Sequence, residues 1–222
     1  MNGEVKIQEA GGTQWFAAEA GMSLTEGDTI KTGKGASLEL SMDDDDNIIV
    51  SLYENSTAVL RGSSLERIEI PEGRIRSYVK KLGKGSSFEI KTPTVIAGAR
   101  GSGWDVEASK EGLSTVSAFE DVIFLKSIDD KGNVIEEKDL NQDYRIKVSR
   151  DRRFGGLSKM NASDRGRWKD WKDKKRIQRK NIKKRPRPEV SRQGVNKPPL
   201  ANAGSKPPQP KRAPSKKNRS EK

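Results

Sequence analysis

The chain of 222 residues contains no cysteine and no histidine. This absence excludes catalytic thiols, imidazole bases and metal sites built from thiolate or imidazole ligands. Hydrophobic residues make up only 31% of the chain and aromatic residues 5%, so we do not expect the whole length to form one packed core. No apolar run approaches the roughly 18 residues that a membrane-spanning helix requires, and no secretory leader is visible at the N-terminus.

Charge is distributed unevenly along the chain. Residues 1–149 hold 18 Lys and Arg against 26 Asp and Glu, a net of −8, whereas residues 150–222 hold 26 against 6, a net of +20. The overall net charge of +12 therefore describes neither part. We expect an acidic folded domain followed by a basic segment that attracts polyanions in a salt-dependent way.

Apolar and polar residues alternate through most of the acidic part. The clearest case is residues 36–42, where every second side chain is apolar, as in a half-buried strand. Segments of this kind number about fourteen to sixteen, and no helix is expected before about residue 160. The pattern predicts an all-β fold of many short antiparallel strands, arranged as a sandwich or jelly-roll or as a short β-solenoid.

The composition changes near Arg150, which predicts three regions. Residues 1–149 form the all-β domain, residues 150–185 a linker with a basic helix, and residues 186–222 a tail rich in Pro, Lys and Arg. Ser163 or Asp164 is the expected helix cap. The tail holds eight of the ten prolines and few apolar residues, so we expect it to be disordered.

The stretch from Lys91 to Glu107 predicts a strand, a glycine-rich bend and a second strand. It resembles the T-P-x-(A/V)-x-x-x-x-R-G-(T/S)-x-(F/W)-x-V signature of FecR-type domains. The residues that match are Thr92, Pro93, Arg100, Gly101, Ser102 and Trp104. Three further segments, residues 21–33, residues 54–60 and the hairpin at Glu120-Asp121, also resemble the family, which extends the similarity over about residues 3–127.

The resemblance implies an all-β, non-enzymatic binding or signalling module of the cell envelope. The family includes anti-sigma regulators with a cytoplasmic domain and a membrane helix, neither of which this sequence shows. It therefore favours a free-standing periplasmic or secreted FecR-domain protein whose leader is absent from this sequence, with a cytoplasmic protein as the alternative. The expected partner is a protein or an anionic envelope polymer.

We expect the six signature residues to be structural. Arg100 has two interpretations: its guanidinium could grip a carboxylate or phosphate, or it could form an internal ion pair, which we favour. The acidic run from Asp43 to Asp46 lacks the ligand spacing of a calcium loop, so we interpret it as a solvated hairpin tip, with a cation site as the alternative. No nucleophile–base pair, cofactor motif or metal motif stands out, so we expect no enzyme and no cofactor.

The basic segment supplies the candidate binding residues. Lysine and arginine bind polyanions by releasing counterions, and tryptophan can stack on bases or sugars. The candidates are Arg167, Trp168, Trp171, Lys174, Lys175, Arg176, Arg179, Lys180, Lys183, Lys184 and Arg185. The alternative to an envelope tether is a nucleic-acid-binding protein that uses the basic tail together with Trp168 and Trp171.

The sequence predicts that residues 3–148 fold without the remainder of the chain, because the alternating strands end where the composition changes. The isolated fragment should give a β-type far-UV circular dichroism spectrum and a cooperative thermal transition. A helical spectrum, or a melt without a cooperative transition, would contradict this expectation.

Overall fold

The computed structural model describes residues 1–43, 46–62 and 66–182, with side chains described as far as residue 175. This part of the chain is mostly antiparallel β-sheet followed by one helix, which confirms the predicted fold class. The elements are β1 (Val5–Gln8), β2 (Phe16–Ala17), β3 (Thr29–Thr32), β4 (Leu38–Ser41), β5 (Ile48–Leu52), β6 (Thr57–Arg61), β7 (Arg67–Val79), β8 (Phe88–Lys91), β9 (Val95–Ala99), β10 (Ser102–Ala108), β11 (Ser114–Glu120), β12 (Val122–Ile128), β13 (Val134–Asn141), β14 (Tyr144–Val148), β15 (Ser158–Lys159) and α1 (Ala162–Ile182).

These strands form two sheets that share one long strand. The first sheet runs in the order β2-β1-β3-β6-β7-β8-β9-β12-β13, and the second in the order β4-β5-β7-β10-β11-β14-β15. The pairing of β7 with β8 is parallel, and the other pairings of the described strands are antiparallel. β7 pairs through its first half in the first sheet and through its second half in the second sheet.

The sequence suggests a break in β7 at Pro71-Glu72-Gly73, but the strand continues through it. Proline lacks a backbone N–H and cannot donate a hydrogen bond to a neighbouring strand. Pro71 lies at a register shift between β6 and β7, where it has no cross-strand partner. Gly73 has a φ of +106°, and a Cβ at this position would lie 2.1 Å from the hydroxyl oxygen of Ser56. Glycine therefore permits the bend that carries the strand from one sheet to the other.

The core lies between the two sheets and takes side chains from both. Trp104 on β10 is fully buried, and its ring meets Phe88 on β8 with the centroids 6.1 Å apart. Because the two residues belong to different sheets, this contact joins the two layers. A single core filled from two facing sheets is the arrangement of a sandwich rather than of a solenoid.

Helix α1 packs on the opposite, outer face of the second sheet. A separate small cluster there contains Phe119, Met160 and Trp168. The helix begins at Ala162, and its cap is Asn161 rather than Ser163 or Asp164. The side chain of Asn161 accepts a hydrogen bond of 2.8 Å from the backbone N–H of Asp164. Among the described residues, no helix has the length and apolar character required to cross a membrane.

Trp104→Ala should destabilise the domain by about 3–5 kcal/mol, because it empties a large, fully buried aromatic site. Trp15→Ala is the matched control: this side chain is 41% exposed, so its loss should cost less than about 1 kcal/mol. Urea unfolding measures both changes. Equal, small losses would show that Trp104 does not carry the contact between the sheets.

Candidate functional site on the outer face of the second sheet

A continuous row of polar side chains crosses the outer face of the second sheet. Neighbouring members are direct cross-strand partners, so the row follows the hydrogen-bonding direction across six strands. In strand order the row consists of Glu39, Ser51, Arg76, Asp105, Ser117 and Arg145. The alternate residues, such as Trp104 and Val106 on β10, point into the core. We call this set the polar row.

The centre of the polar row is a buried ion pair. The guanidinium of Arg76 donates two hydrogen bonds to the carboxylate of Asp105, from Nε at 2.6 Å and from Nη2 at 2.8 Å. Arg76 is 4% exposed and Asp105 6% exposed. Arg74 also donates to Asp105 at 2.5 Å. Burial by itself lowers the pKa of Arg74, but the charge of Asp105 and this hydrogen bond outweigh burial and raise it.

Aromatic rings surround Arg76. The centroids of Tyr53, Phe119, Trp168 and Trp171 lie 5.3–5.8 Å from its guanidinium carbon. Cation–π attraction is strongest where water is excluded, as it is here. Burial raises the pKa of the Tyr53 hydroxyl, so this ring remains neutral and apolar in ordinary conditions. Two of the four rings belong to α1, and the helix thus completes the enclosure of the ion pair.

Helix α1 runs along the polar row and contacts it at both ends. Near its start, Asp164 pairs with Arg145 of β14 at 3.5 Å. Further along, Nε1 of Trp171 donates to the hydroxyl of Ser51 at 3.1 Å, and Lys175 forms an ion pair with Glu39 of β4. The first and last of these contacts lie five strands apart, so the helix crosses the sheet.

A second acidic group on the sheet binds the middle of the helix. Glu120, at the end of β11, accepts hydrogen bonds from Nε1 of Trp168 at 3.0 Å and from Nζ of Lys172 at 2.6 Å. The ring of Trp168 stacks on Phe119 at a centroid distance of 4.8 Å, with the planes 4° apart. In each of these contacts, the residue of α1 lies about 50 positions after its partner in the sequence.

Gly103 provides the space for Trp168. It lies within β10 on the outer face, and a Cβ at this position would come within 2.0 Å of the Trp168 ring. From the sequence, the glycines of the signature stretch are expected to serve sharp turns. Gly103 instead stands in a strand, where its missing side chain allows a large ring from another element to approach the backbone.

The structure places the candidate residues of the helix in different environments. Trp168 is 5% exposed and Trp171 half-buried, and both face the sheet. Stacking on bases or sugars would require them to leave it. Lys175 is paired with Glu39, whereas Arg167 and Lys174 are exposed. The backbone at Arg176, Arg179 and Lys180 is helical, and Lys183, Lys184 and Arg185 lie outside the described residues.

The first half of the signature stretch is held by hydroxyl groups. The Oγ1 atom of Thr92 accepts hydrogen bonds from the backbone N–H of Thr94 at 3.2 Å and of Val95 at 3.0 Å. The side chain of Pro93, which follows Thr92, is exposed. The hydroxyl of Ser114 donates to the same oxygen at 2.8 Å. These bonds satisfy the backbone of a sharp turn between β8 and β9.

The second half of the stretch is fixed by close packing and a further hydroxyl bond. The hydroxyl of Ser102 donates to the backbone carbonyl of Glu120. A Cβ on Gly101 would meet the backbone of Lys81 at 3.0 Å, so a larger residue there would press on the neighbouring loop. Both contacts hold the start of β10 in the position that gives Gly103 and Asp105 their places on the outer face.

Arg100 does not form the internal ion pair that we favoured from the sequence. Its side chain is exposed in the turn between β9 and β10, and it makes no ion pair within the part of the chain that the structure describes. It lines a shallow depression of about 490 Å³ together with Phe124, Asp121 and Asp139. The buried arginine of this domain is Arg76, which the sequence interpretation missed because only strand register brings it beside Asp105.

The acidic run also has a structural use. Asp43 accepts hydrogen bonds from the backbone N–H of Asn47 at 2.7 Å and of Ile48 at 3.2 Å. Asp44 and Asp45 lie outside the described residues. Within the described residues, no group of three or more carboxylates is placed to hold a metal ion.

Comparison with known proteins identifies the domain. The model of the FecR protein family matches residues 28–122. Residues 28–122 are thus similar to a FecR-type domain, which confirms the resemblance seen in the signature stretch. This match supports a role in signal regulation, and it contains Arg76, Gly103 and Asp105 of the outer face.

Two solved structures are similar to this chain, each described as a candidate anti-sigma factor from Parabacteroides distasonis ATCC 8503. The first has a TM-score of 0.51 at 16% identity and covers 63% of each chain. The second has a TM-score of 0.48 at 17% identity and covers 60% of each chain. This chain thus spans less than two thirds of either structure, and at such identity the first shows a shared fold. Comparison with curated proteins gives no match.

Asp105→Asn should destabilise the protein by about 3–5 kcal/mol, because it leaves the buried guanidinium of Arg76 without a counter-charge. Glu107→Gln, an exposed carboxylate two positions further along the same strand and face, is the control and should change the unfolding free energy by less than about 0.5 kcal/mol. Urea titrations of both variants provide the test. If Asp105→Asn behaves like its control, the ion pair does not stabilise the outer face.

Proposed function

We propose that this chain is a non-enzymatic FecR-domain binding and signalling module, periplasmic or secreted, whose basic C-terminal segment tethers it to an anionic envelope polymer or to a partner protein. The observation that carries the proposal is the separation of charge between the acidic FecR-type domain and the basic sequence that follows it. Helix α1 connects the acidic domain to the basic sequence that follows, and Trp168 and Trp171 attach the helix to the second sheet.

The basic residues of the helix fall into two groups, those paired with the domain and those exposed to solvent. Lys172 and Lys175 are engaged by carboxylates of the domain, whereas Arg167 and Lys174 are exposed on the helix. After Ile182 the sequence adds 13 further Lys and Arg against two acidic residues. Such a charge density attracts any phosphate- or sulfate-bearing polymer by counterion release.

Nucleic acid has the same phosphate chemistry, so it is the alternative ligand. The contacts of Trp168 and Trp171 with the sheet disfavour it, because these rings are the residues expected to stack on bases. Charge alone positions a phosphate backbone but does not discriminate between base sequences. We therefore favour an envelope polymer, and the FecR match supports a signalling role rather than a catalytic one.

The full chain should bind heparin, lipopolysaccharide and duplex DNA with affinities that fall steeply and similarly as salt rises. A chain that ends at Ile182 contains all of the described strands and the helix, and it should bind each of them much more weakly. Fluorescence anisotropy over a range of salt concentrations measures the difference, and cell fractionation tests the location.

Two results would contradict the proposal. Equal binding by the full and shortened chains would show that the basic tail is not the tether. A preference of about a thousandfold for one DNA sequence, which is the range of specific DNA-binding proteins, would favour the nucleic-acid alternative.

A further inference from the structure

We propose that the outer face of the second sheet is a docking site for a basic amphipathic helix, which α1 occupies in the same chain and which a helix of a partner protein with the same pattern can occupy in its place. The docking site consists of the polar row together with Gly103, Phe119 and Glu120. This inference names a kind of protein partner and depends on the folded domain alone, so it can fail or succeed separately from polyanion binding by the tail.

The contacts of α1 define the pattern that the site recognises. Asp164, Trp168, Trp171 and Lys175 are spaced by four, three and four residues, which places them on one face of a helix. All four contact the docking site. Helices that lie in a groove are recognised through anchors with this spacing. The pattern is an acidic residue, two tryptophans and a lysine along one stripe.

The two ends of the site carry opposite charges. Glu39 on β4 binds the lysine, and Arg145 on β14 binds the aspartate near the start of the helix. A helix docked in the reverse direction would bring like charges together at both ends. The site therefore selects one orientation, since like-charge contacts act against a wrong partner or a wrong alignment.

The middle of the site selects for aromatic side chains. Trp168 fits over Gly103, stacks on Phe119 and donates to Glu120. Trp171 lies beside Arg76 and donates to Ser51. Each indole has both an apolar surface to bury and an N–H donor with an acceptor in reach. Residues of this type, buried at the centre of an interface, usually carry most of its binding energy.

The architecture allows α1 to leave without opening the core. Its contacts form a cluster of their own on the outer face, separated by the sheet from the main core that contains Trp104. Of the helix stripe, only the two tryptophans are apolar, and the remaining contacts are ion pairs with carboxylates or arginine of the domain. This interface resembles a protein–protein interface more than the interior of a domain.

Attachment to the same chain gives α1 an advantage over a helix in solution. A segment joined by a short connection acts at an effective concentration in the millimolar range. A free helix should therefore bind weakly to the wild-type chain and more tightly once α1 has lost its anchors. This difference separates a real docking site from general attraction between a basic peptide and an acidic domain.

The test uses a fluorescent peptide of residues 162–182 added to two full-length chains. The first chain is wild type, and the second carries Trp168→Ala and Trp171→Ala, which removes the anchors of its own helix. We expect the altered chain to bind the peptide at least roughly tenfold more tightly than the wild-type chain. Should the altered chain not fold, as judged by circular dichroism, Lys172→Glu with Lys175→Glu loosens α1 by replacing its two ion pairs to the sheet with like-charge contacts.

Two controls separate recognition from charge. A peptide with both tryptophans replaced by alanine has the same net charge and should bind at least roughly tenfold more weakly. On the domain, Gly103→Ala, added to the altered chain, should weaken binding by about tenfold because the new methyl group occupies the position of the indole. Gly83→Ala, where a Cβ would meet nothing within 4 Å, should leave the affinity unchanged.

Three outcomes would overturn the proposal. The first is no binding of the peptide to either altered chain when that chain is folded. The second is equal binding by the peptide that lacks tryptophan, which would reduce the effect to charge. The third is equal affinity of the Gly103→Ala and Gly83→Ala chains, which would place the peptide elsewhere on the domain.

Discussion

The buried ion pair between Arg76 and Asp105 is the constraint on which the outer half of this structure depends. The two charges lie outside the hydrophobic core, on a sheet face that would otherwise meet water. Burying them is costly unless their hydrogen bonds are satisfied and their surroundings are well packed. The second carboxylate oxygen is shared with Arg74, and four aromatic rings exclude water from the guanidinium. The fold thus provides an enclosed cation that a polar sheet face would not ordinarily contain.

The attachment of helix α1 to the sheet depends on this arrangement. Its sequence is too polar to bury itself in a core, and its attachment requires partners for its charges. The domain supplies Glu39 and Glu120 for the lysines and Arg145 for the aspartate. The composition shows an acidic domain and a basic segment as separate properties. In the structure they are in contact, because charged residues of α1 form ion pairs with the domain.

The sequence was a good guide to structure that depends on local pattern. Alternation predicts the strands and the all-β class, because the period of two is a local property of a strand. The hairpin at Glu120-Asp121 was also predicted, and Asp121 adopts a φ of +47°, a left-handed conformation that aspartate tolerates better than most residues.

The features that the sequence did not reveal depend on register and on distant contacts. Arg76 and Asp105 are 29 positions apart, and nothing in either neighbourhood indicates that they face each other. For Arg100, an internal ion pair was inferred from its place in the signature, whereas the turn leaves the side chain exposed. The tryptophans of α1 lie in a basic segment, which is why the sequence suggests a role in ligand binding. Their partners on the sheet lie up to 120 positions earlier, so the local sequence does not show them. Pairings of this kind require the folded topology.

The shared strand β7 determines how the domain unfolds. Each sheet loses a central strand if β7 detaches, since β6 and β8 flank its first half and β5 and β10 its second. Neither layer can therefore melt while the other persists, and the two should behave as one cooperative unit. A pulling force that reaches β7 would therefore meet the resistance of both layers together rather than of each in turn.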